Sequence, residues 1–202
     1  MITTILLDLY GTLIELNRNS RPYHTLVKRL PTSNAHGILR QSLVNRCDSL
    51  SEFSSLIGLP EQKDINSLEK ELMHDIDSAT LFNDSQPMLI KLKEKGIKIG
   101  LISNLASPYK RPVKELGLEE YFDVIVFSCD VGVAKPDPSI YKFALEQLDS
   151  SAAETLMVGD SYKSDIEGAE NVGITGIHLV HNSNSRNNTL KINGLSGLLD
   201  WV

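Results

Sequence analysis

The chain has 202 residues, 41% of them hydrophobic and 23% charged, and a net charge of −6. That size and balance suit a globular protein of one or two domains with a substantial core. The acidic balance argues against non-specific nucleic-acid or anionic-membrane binding, and no run approaches the ~20 apolar residues of a membrane helix.

The first predicted element is the apolar run Ile5-Leu6-Leu7, closed by Asp8 and then by the turn residues Gly11-Thr12. A short apolar run bounded by a glycine turn reads as a buried strand, which puts Asp8 at its C-terminal end. Residues 16–81 carry helical periodicity, as in 23–30 and 65–76, with no clear strand. From residue 85 onward strand and helix patterns alternate: a helix over 86–95 stopped by Gly96, a strand over 97–103, and a helix over 107–116 with Pro108 at its start. A strand over 124–127 follows, then a helix over 137–148, a strand over 155–158, a helix over 164–172 and a strand over 176–180. The polar stretch 181–189 reads as a loop and the tail 195–202 as a short helix closing the sheet edge. This alternation predicts an α/β fold, a Rossmann-like parallel sheet with helices on both faces.

Open parallel sheets build their sites at the C-terminal ends of strands, and the reactive residue types collect there. Asp8 ends the first strand, Ser103-Asn104 end the second, and Gly159-Asp160 follow the strand over 155–158. A carboxylate so placed can act as a covalent nucleophile. Two carboxylates, a backbone carbonyl and water make an octahedral magnesium site. Lys135, in Gly132-Val133-Ala134-Lys135-Pro136-Asp137-Pro138, could relieve the repulsion between Asp8 and Asp160. Asp165, near the start of the next helix, could order metal-bound water or Lys135. Its alternative reading is an N-terminal helix acid favoured by the macrodipole.

The four motifs, Asp8-Leu9-Tyr10-Gly11-Thr12, Ser103-Asn104, Lys135 and Gly159-Asp160-Ser161-Tyr162-Lys163-Ser164-Asp165, resemble those of the haloacid dehalogenase-like (HAD) hydrolase superfamily in type and order. The resemblance implies a core over 1–15 and 82–202 with a small all-helical cap, 16–81, inserted after strand 1. It implies an aspartyl-phosphate intermediate on Asp8, with Mg²⁺ held by Asp8, Asp160 and the backbone carbonyl of Tyr10. Ser103 and Lys135 would be catalytic, and Thr12, Ser103, Asn104 and Lys135 would hold the phosphoryl group of a small phosphorylated metabolite.

One position departs from the phosphatase pattern. Phosphatases of this superfamily usually carry a second Asp two residues after the nucleophile, and here stands Tyr10, a phenol and a poor acid–base group at neutral pH. A tyrosine there resembles the metal-independent 2-haloacid dehalogenases of the same superfamily. Tyr141 suits that branch, and Arg40 or Arg46 could supply its cap arginine. Asp160 points to the phosphatase branch, because a carboxylate is costly to bury unless it binds something. A catalytically weak binding or regulatory member is the third reading. The five histidines read as structural or surface groups, and Cys47 and Cys129 as reduced, packed thiols. The N-terminal apolar stretch is too short for a signal peptide, so the cytoplasm is the expected compartment. The motifs name neither the substrate nor the oligomeric state.

Overall fold

The computed structural model describes residues 1–30, 33–59, 63–181 and 190–202. Its elements, in chain order, begin with β1 (Thr4–Leu7), β2 (Ile14–Leu16) and four helices, α1 (Pro22–Val27), α2 (Ala35–Val44), α3 (Leu50–Leu56) and α4 (Ile65–Asp77). There follow β3 (Ala79–Leu81), α5 (Ser85–Glu94), β4 (Lys98–Ser103), α6 (Arg111–Glu115), β5 (Val124–Phe127), α7 (Ser128–Val131), α8 (Pro138–Gln147) and β6 (Thr155–Gly159). The last are α9 (Gly168–Glu170), β7 (Thr175–Leu179) and β8 (Lys191–Ile192).

Six strands form one parallel sheet in the order β5-β4-β1-β6-β7-β8. The expected Rossmann-like sheet is therefore present. Its strands are buried on both faces, as parallel sheets require. Along β1, Ile5 and Leu7 face one core and Leu6 the other; along β6, Leu156 and Val158 face the first and Met157 the second. Leu6 is fully buried, and Leu6→Ala should cost about 2–5 kcal/mol. Beside it, a Cβ on Gly100 would lie 2.7 Å from Leu6 Cδ2 and 2.9 Å from Leu148 Cδ1, so glycine at 100 leaves the space that these two side chains fill.

The chain leaves β1 toward β4 and β5, then crosses to β6 on the other side of β1. That reversal opens a crevice beyond the C-terminal ends of β1 and β6, where ligands bind in open α/β sheets.

Helices α1 to α4 lie between the two strands β2 and β3, which pair antiparallel with Ile14 opposite Leu81 and Leu16 opposite Ala79. No strand was expected in this stretch, and the expected boundaries at 15/16 and 81/82 fall inside and at the end of this ribbon. Three residues per strand, with Glu15 and Thr80 exposed between buried or half-buried neighbours, are too few for the alternation to register as strands. The helices enclose a core of their own around Leu26, Leu50, Phe53 and Leu72, joined by Ala106 from the α/β part. Asp75, fully buried on α4, accepts hydrogen bonds from the backbone N–H and the hydroxyl of Ser20, which pins the linker leading into α1.

Three other expectations are modified. The helix expected over 107–116 is a 3₁₀ turn, Ser107–Lys110, followed by α6, because Pro112 has no N–H to continue a single helix. The helix expected over 164–172 is a π-helical turn, Tyr162–Glu167, leading into α9. The tail is a 3₁₀ helix, Leu195–Asp200, preceded by the unexpected two-residue strand β8. Of the loop expected over 181–189, only His181 lies among the described residues.

Candidate active site

Asp8 follows β1 directly, and its N–H donates to the Val158 carbonyl on β6 at 3.0 Å, which fixes it at the crevice. It is 8% exposed. Lys135 reaches it from the loop after α7. The Lys135 ammonium donates to Asp8 Oδ1 at 2.7 Å, to Asp165 Oδ1 at 2.6 Å and to the Ile102 carbonyl at 2.8 Å. All three donors of a buried lysine are thereby used, which is the condition for keeping a charge inside the protein. Burial lowers the affinity of Lys135 for its proton, but the charges of Asp8 and Asp165 outweigh this and hold it charged.

The rest of the site exists to place these groups. The side-chain amide of Asn104 donates to the Lys135 carbonyl and accepts from the Lys135 N–H, both at 2.8 Å. Asn104, expected at the phosphate, thus grips the backbone of the lysine while also lining the cavity. Asp165 is fully buried, and its other oxygen accepts from the Ser161 N–H at 2.9 Å. Asp165 thus contacts both Lys135 and the backbone at the start of the π turn, one contact for each of its two readings. The π turn makes room for this, and such turns recur at functional sites. Beneath it, the buried Tyr141 hydroxyl donates to the Ser164 carbonyl. Tyr141 therefore braces the π turn from below and does not line the cavity around Asp8.

Asp160 follows β6 and is exposed. Its carboxylate lies against the turn after Asp8: a Cβ on Gly11 would sit 2.4 Å from Asp160 Oδ2, and Gly11 has φ +82°. Only glycine satisfies both demands. Two histidines brace these loops. His178 Nε2 lies 2.9 Å from the Asp160 carbonyl, and His181 Nε2 lies 3.1 Å from the Gly11 carbonyl while its ring stacks on Phe82. Neither histidine was assigned to the site from sequence. The signal was the register: Gly159 pairs with His178, so the strand beside the carboxylate carries the imidazole to it.

Ligand oxygens of Asp8, Asp160 and Asp165 all lie within 4.8 Å of one another. Three carboxylates face one ammonium, so two negative charges are uncompensated when all are ionised. Burial, only partly offset by Lys135, pushes Asp8 up to about 6. Desolvation of its carboxylate, and next the charge of Asp8, push Asp160 upward although the residue as a whole is exposed. A divalent cation fits such a cluster by charge and by its hard oxygen donors.

Ser103, 2% exposed at the end of β4, lines the same cavity of about 210 Å³ with Asp8, Tyr10 and Lys135. Thr12 is fully buried, does not line this cavity, and its hydroxyl has no partner among the described residues. The Tyr10 hydroxyl points away from Asp8's chemistry: it donates to the Tyr109 carbonyl at 2.8 Å, and the two rings meet edge to face at 5.9 Å. Burial pushes this phenol still higher than an ordinary tyrosine. Of the two arginines considered, Arg46 is paired with Asp130 at 2.6 Å, and Arg40 lines a cleft that shares Lys135 with the site.

The family model described as haloacid dehalogenase-like hydrolase matches residues 2–173. The pyrophosphatase PpaX of Bacillus cereus is 32% identical over 180 residues, which is 85% of this chain and 80% of that protein. The glyceraldehyde 3-phosphate phosphatase of Pyrococcus abyssi is 42% identical over 92 residues, 45% of this chain, and the match spans only 38% of that protein's own length. Among solved structures, a HAD phosphatase from Thermococcus onnurineus superposes with a TM-score of 0.70 at 25% identity, covering 99% of this chain and 97% of that one.

Proposed function

This chain belongs to the haloacid dehalogenase-like hydrolase family, and within it we propose that the protein is a Mg²⁺-dependent phosphatase of a small phosphorylated metabolite, working through an aspartyl-phosphate on Asp8. The observation that carries this reading is the cluster of Asp8, Asp160 and Asp165 around a single lysine, with two negative charges left to a cation. A dehalogenase that works without metal has no use for that excess charge. The two relatives with phosphatase names support the same reading.

In this reading one Asp8 oxygen attacks phosphorus, and Lys135 holds the other, Oδ1, and so fixes the carboxylate's orientation. Ser103 donates its hydroxyl hydrogen to a phosphoryl oxygen, and the Asn104 grip keeps Lys135 in place while charge shifts. Asp165 positions Lys135 and touches neither phosphorus nor leaving group. Asp8, Asp160 and the Tyr10 carbonyl would hold Mg²⁺, which supplies neutralisation of the phosphoryl charge. Residues 16–81 serve as a cap that covers the crevice and carries selectivity. Among the described residues no helix is long and apolar enough to cross a membrane.

Tyr10 favours a second reading, a 2-haloacid dehalogenase with the nucleophile directed at carbon. One pair of measurements decides between them. Mg²⁺ at a hundredfold excess over Kd should stabilise the protein by ~2.7 kcal/mol, Asp160→Ala should abolish that shift, and EDTA should stop phosphate release. A melting curve indifferent to Mg²⁺, with halide release from 2-chloropropionate in EDTA, overturns the phosphatase reading.

A further inference from the structure

Tyr10 and Asn104 line the cavity at Asp8 and also an opening of about 310 Å³ between α1, α2 and the loop after β4. The inner part of this opening is aromatic and apolar. Tyr10, Tyr23 and Tyr109 line it, with Tyr109 edge to face on Tyr10 at 5.9 Å and tilted on Tyr23 at 6.4 Å. Leu39 and Leu43 of α2 and the buried Leu105 line it with them. Its polar side chains are engaged within the protein: the Tyr10 hydroxyl donates to the Tyr109 carbonyl, the Asn104 amide is bound at both ends to the Lys135 backbone, and the Ser42 hydroxyl donates to the Leu39 carbonyl. The Tyr23 hydroxyl is buried with no partner among the described residues. A polyol entering here would give up water and find few partners, which is costly. Asn19, Arg21 and His24 are the exposed residues that line the opening, so they stand at its solvent edge.

The reaction poses a matching demand. A phosphoryl group leaves an alkyl ester readily only if the departing alkoxide, whose conjugate acid is near the ~15.7 of water, receives a proton. The residue two places after the nucleophile is Tyr10, and its one hydroxyl hydrogen is engaged by the Tyr109 carbonyl. Asp165 is occupied by Lys135 and the Ser161 N–H. A phenol, with a pKa of about 10, is a leaving group roughly 10⁵-fold more acidic, and it departs as the phenolate without that proton.

From these two observations together the geometry points to a small phosphorylated phenol as the substrate class: its phosphoryl group meets Asp8, and its ring lies in the opening against Tyr10, Tyr109 and Leu43. This rests on the phosphatase reading and narrows it. The space suffices, since a cavity of about 150 Å³ takes up benzene. The ring gains by leaving water and by edge-on contact with the tyrosines. The balance closes without an acid. An Asp8 carboxylate oxygen bonds to phosphorus, the bond from phosphorus to the aryl oxygen breaks, and its electron pair leaves on the phenolate, which takes a proton from solvent after release. Water then adds to the phosphorus of the aspartyl-phosphate and the bond to Asp8 breaks, restoring the carboxylate. One hydrogen of the water stays on the product phosphate and the other passes to solvent.

Arg21 and His24 at the solvent edge would instead favour a small anionic ester, so the test includes one. In the full-length protein with Mg²⁺, turnover of phenyl, ethyl, carboxymethyl and p-nitrophenyl phosphate and of a phosphotyrosyl peptide is compared. The expected kcat/KM for phenyl phosphate exceeds that for ethyl and carboxymethyl phosphate by about 10²-fold or more, the scale of an acid that is no longer needed. Binding of the ring is read apart from its reactivity, with phosphonates that cannot be hydrolysed. Benzylphosphonate should inhibit p-nitrophenyl phosphate turnover at least about tenfold more tightly than ethylphosphonate, the scale of two buried methylene groups. Leu43→Asn should remove most of that tenfold ratio, and Leu43→Met should keep it. Turnover of p-nitrophenyl phosphate with equal inhibition by the two phosphonates, a preference for carboxymethyl phosphate or for the peptide over phenyl phosphate, or an inhibition ratio unmoved in a folded Leu43→Asn overturns this inference and leaves the phosphatase reading standing. Failure to hydrolyse any of the phosphates overturns both.

Discussion

At the sheet edge the charged groups nearest the nucleophile are buried and bound on every side; across the cleft, on α2, they are exposed. Lys135 is 4% exposed with three acceptors around its ammonium, and Asp165 is fully buried with both oxygens engaged. His36 and Arg40 stand on the surface of a ten-residue helix at the mouth of the site. The contrast separates two requirements. Chemistry at phosphorus needs groups that do not reorganise, and packing against a parallel sheet provides that. In the proposed reaction, recognition of the rest of a substrate would need side chains that can adapt, and helices with a core of their own would provide them without disturbing Asp8.

The largest expected effect breaks the sheet-edge side of this comparison. Asp8→Asn should lower turnover by at least about 10⁴-fold, within the range seen when a nucleophile is removed, while the melting temperature holds within a few degrees. The second half follows from the raised affinity of Asp8 for its proton. Its folded pKa of about 6 lies above the ordinary 3.8, so ionised Asp8 costs stability that is fully felt above pH 6 and absent below 3.8, and the neutral amide removes that cost. Unchanged turnover would show that the nucleophile lies elsewhere.

Lys135→Ala comes next. Removing one partner of a buried ionic cluster costs about 3–5 kcal/mol, read as a lower urea midpoint, and activity should disappear with it. A midpoint equal to that of the unaltered protein would mean the carboxylates are neutral as they stand. A Tyr10→Asp variant sharpens the comparison by moving an acid into the rigid side. It should raise turnover of alkyl phosphates by about 10²-fold, the low end of general acid catalysis, and raise p-nitrophenyl phosphate turnover much less. A folded variant with no gain on any ester would show that protonation does not limit this enzyme.

The smallest effect lies where the two regions meet. Asp130, on α7, accepts from Arg46 beside α2 and from Lys110. Burial raises its pKa, but these two partners more than offset that and hold it below the ordinary 3.8. A depressed carboxylate contributes stability above its unfolded value that is lost as pH falls through the folded one. Asp130→Asn should therefore cost about 0.5–1 kcal/mol at neutral pH and nothing once the pH is well below 3.8. An equal cost at pH 7 and in strong acid would show that the contact is not ionic.

Much of the sheet edge was legible in the sequence because three of the candidate side chains end or directly follow apolar runs, and in a parallel sheet the ends of such runs share one edge. Asp8, Ser103 and Asp160 were singled out in this way, and Lys135 by the motif it shares with two following prolines. The supporting contacts were not legible, because they depend on pairing between distant segments. His178 reaches Asp160 only through the register of β6 with β7, and Asn104 meets Lys135 only because β4 ends beside the loop after α7. Helical periodicity announced the helices of 16–81, but the ribbon of β2 and β3 that brackets them was too short to show an alternation.

The central claim is a phosphoryl group carried on Asp8, and it is tested by acid-quenching the protein with Mg²⁺ during steady turnover of p-nitrophenyl phosphate and weighing the peptide that contains Asp8. The account predicts the added mass of one phosphoryl group on that peptide, absent in Asp8→Asn and after EDTA. Steady phosphate release with an unmodified Asp8 peptide at every quench time would contradict it.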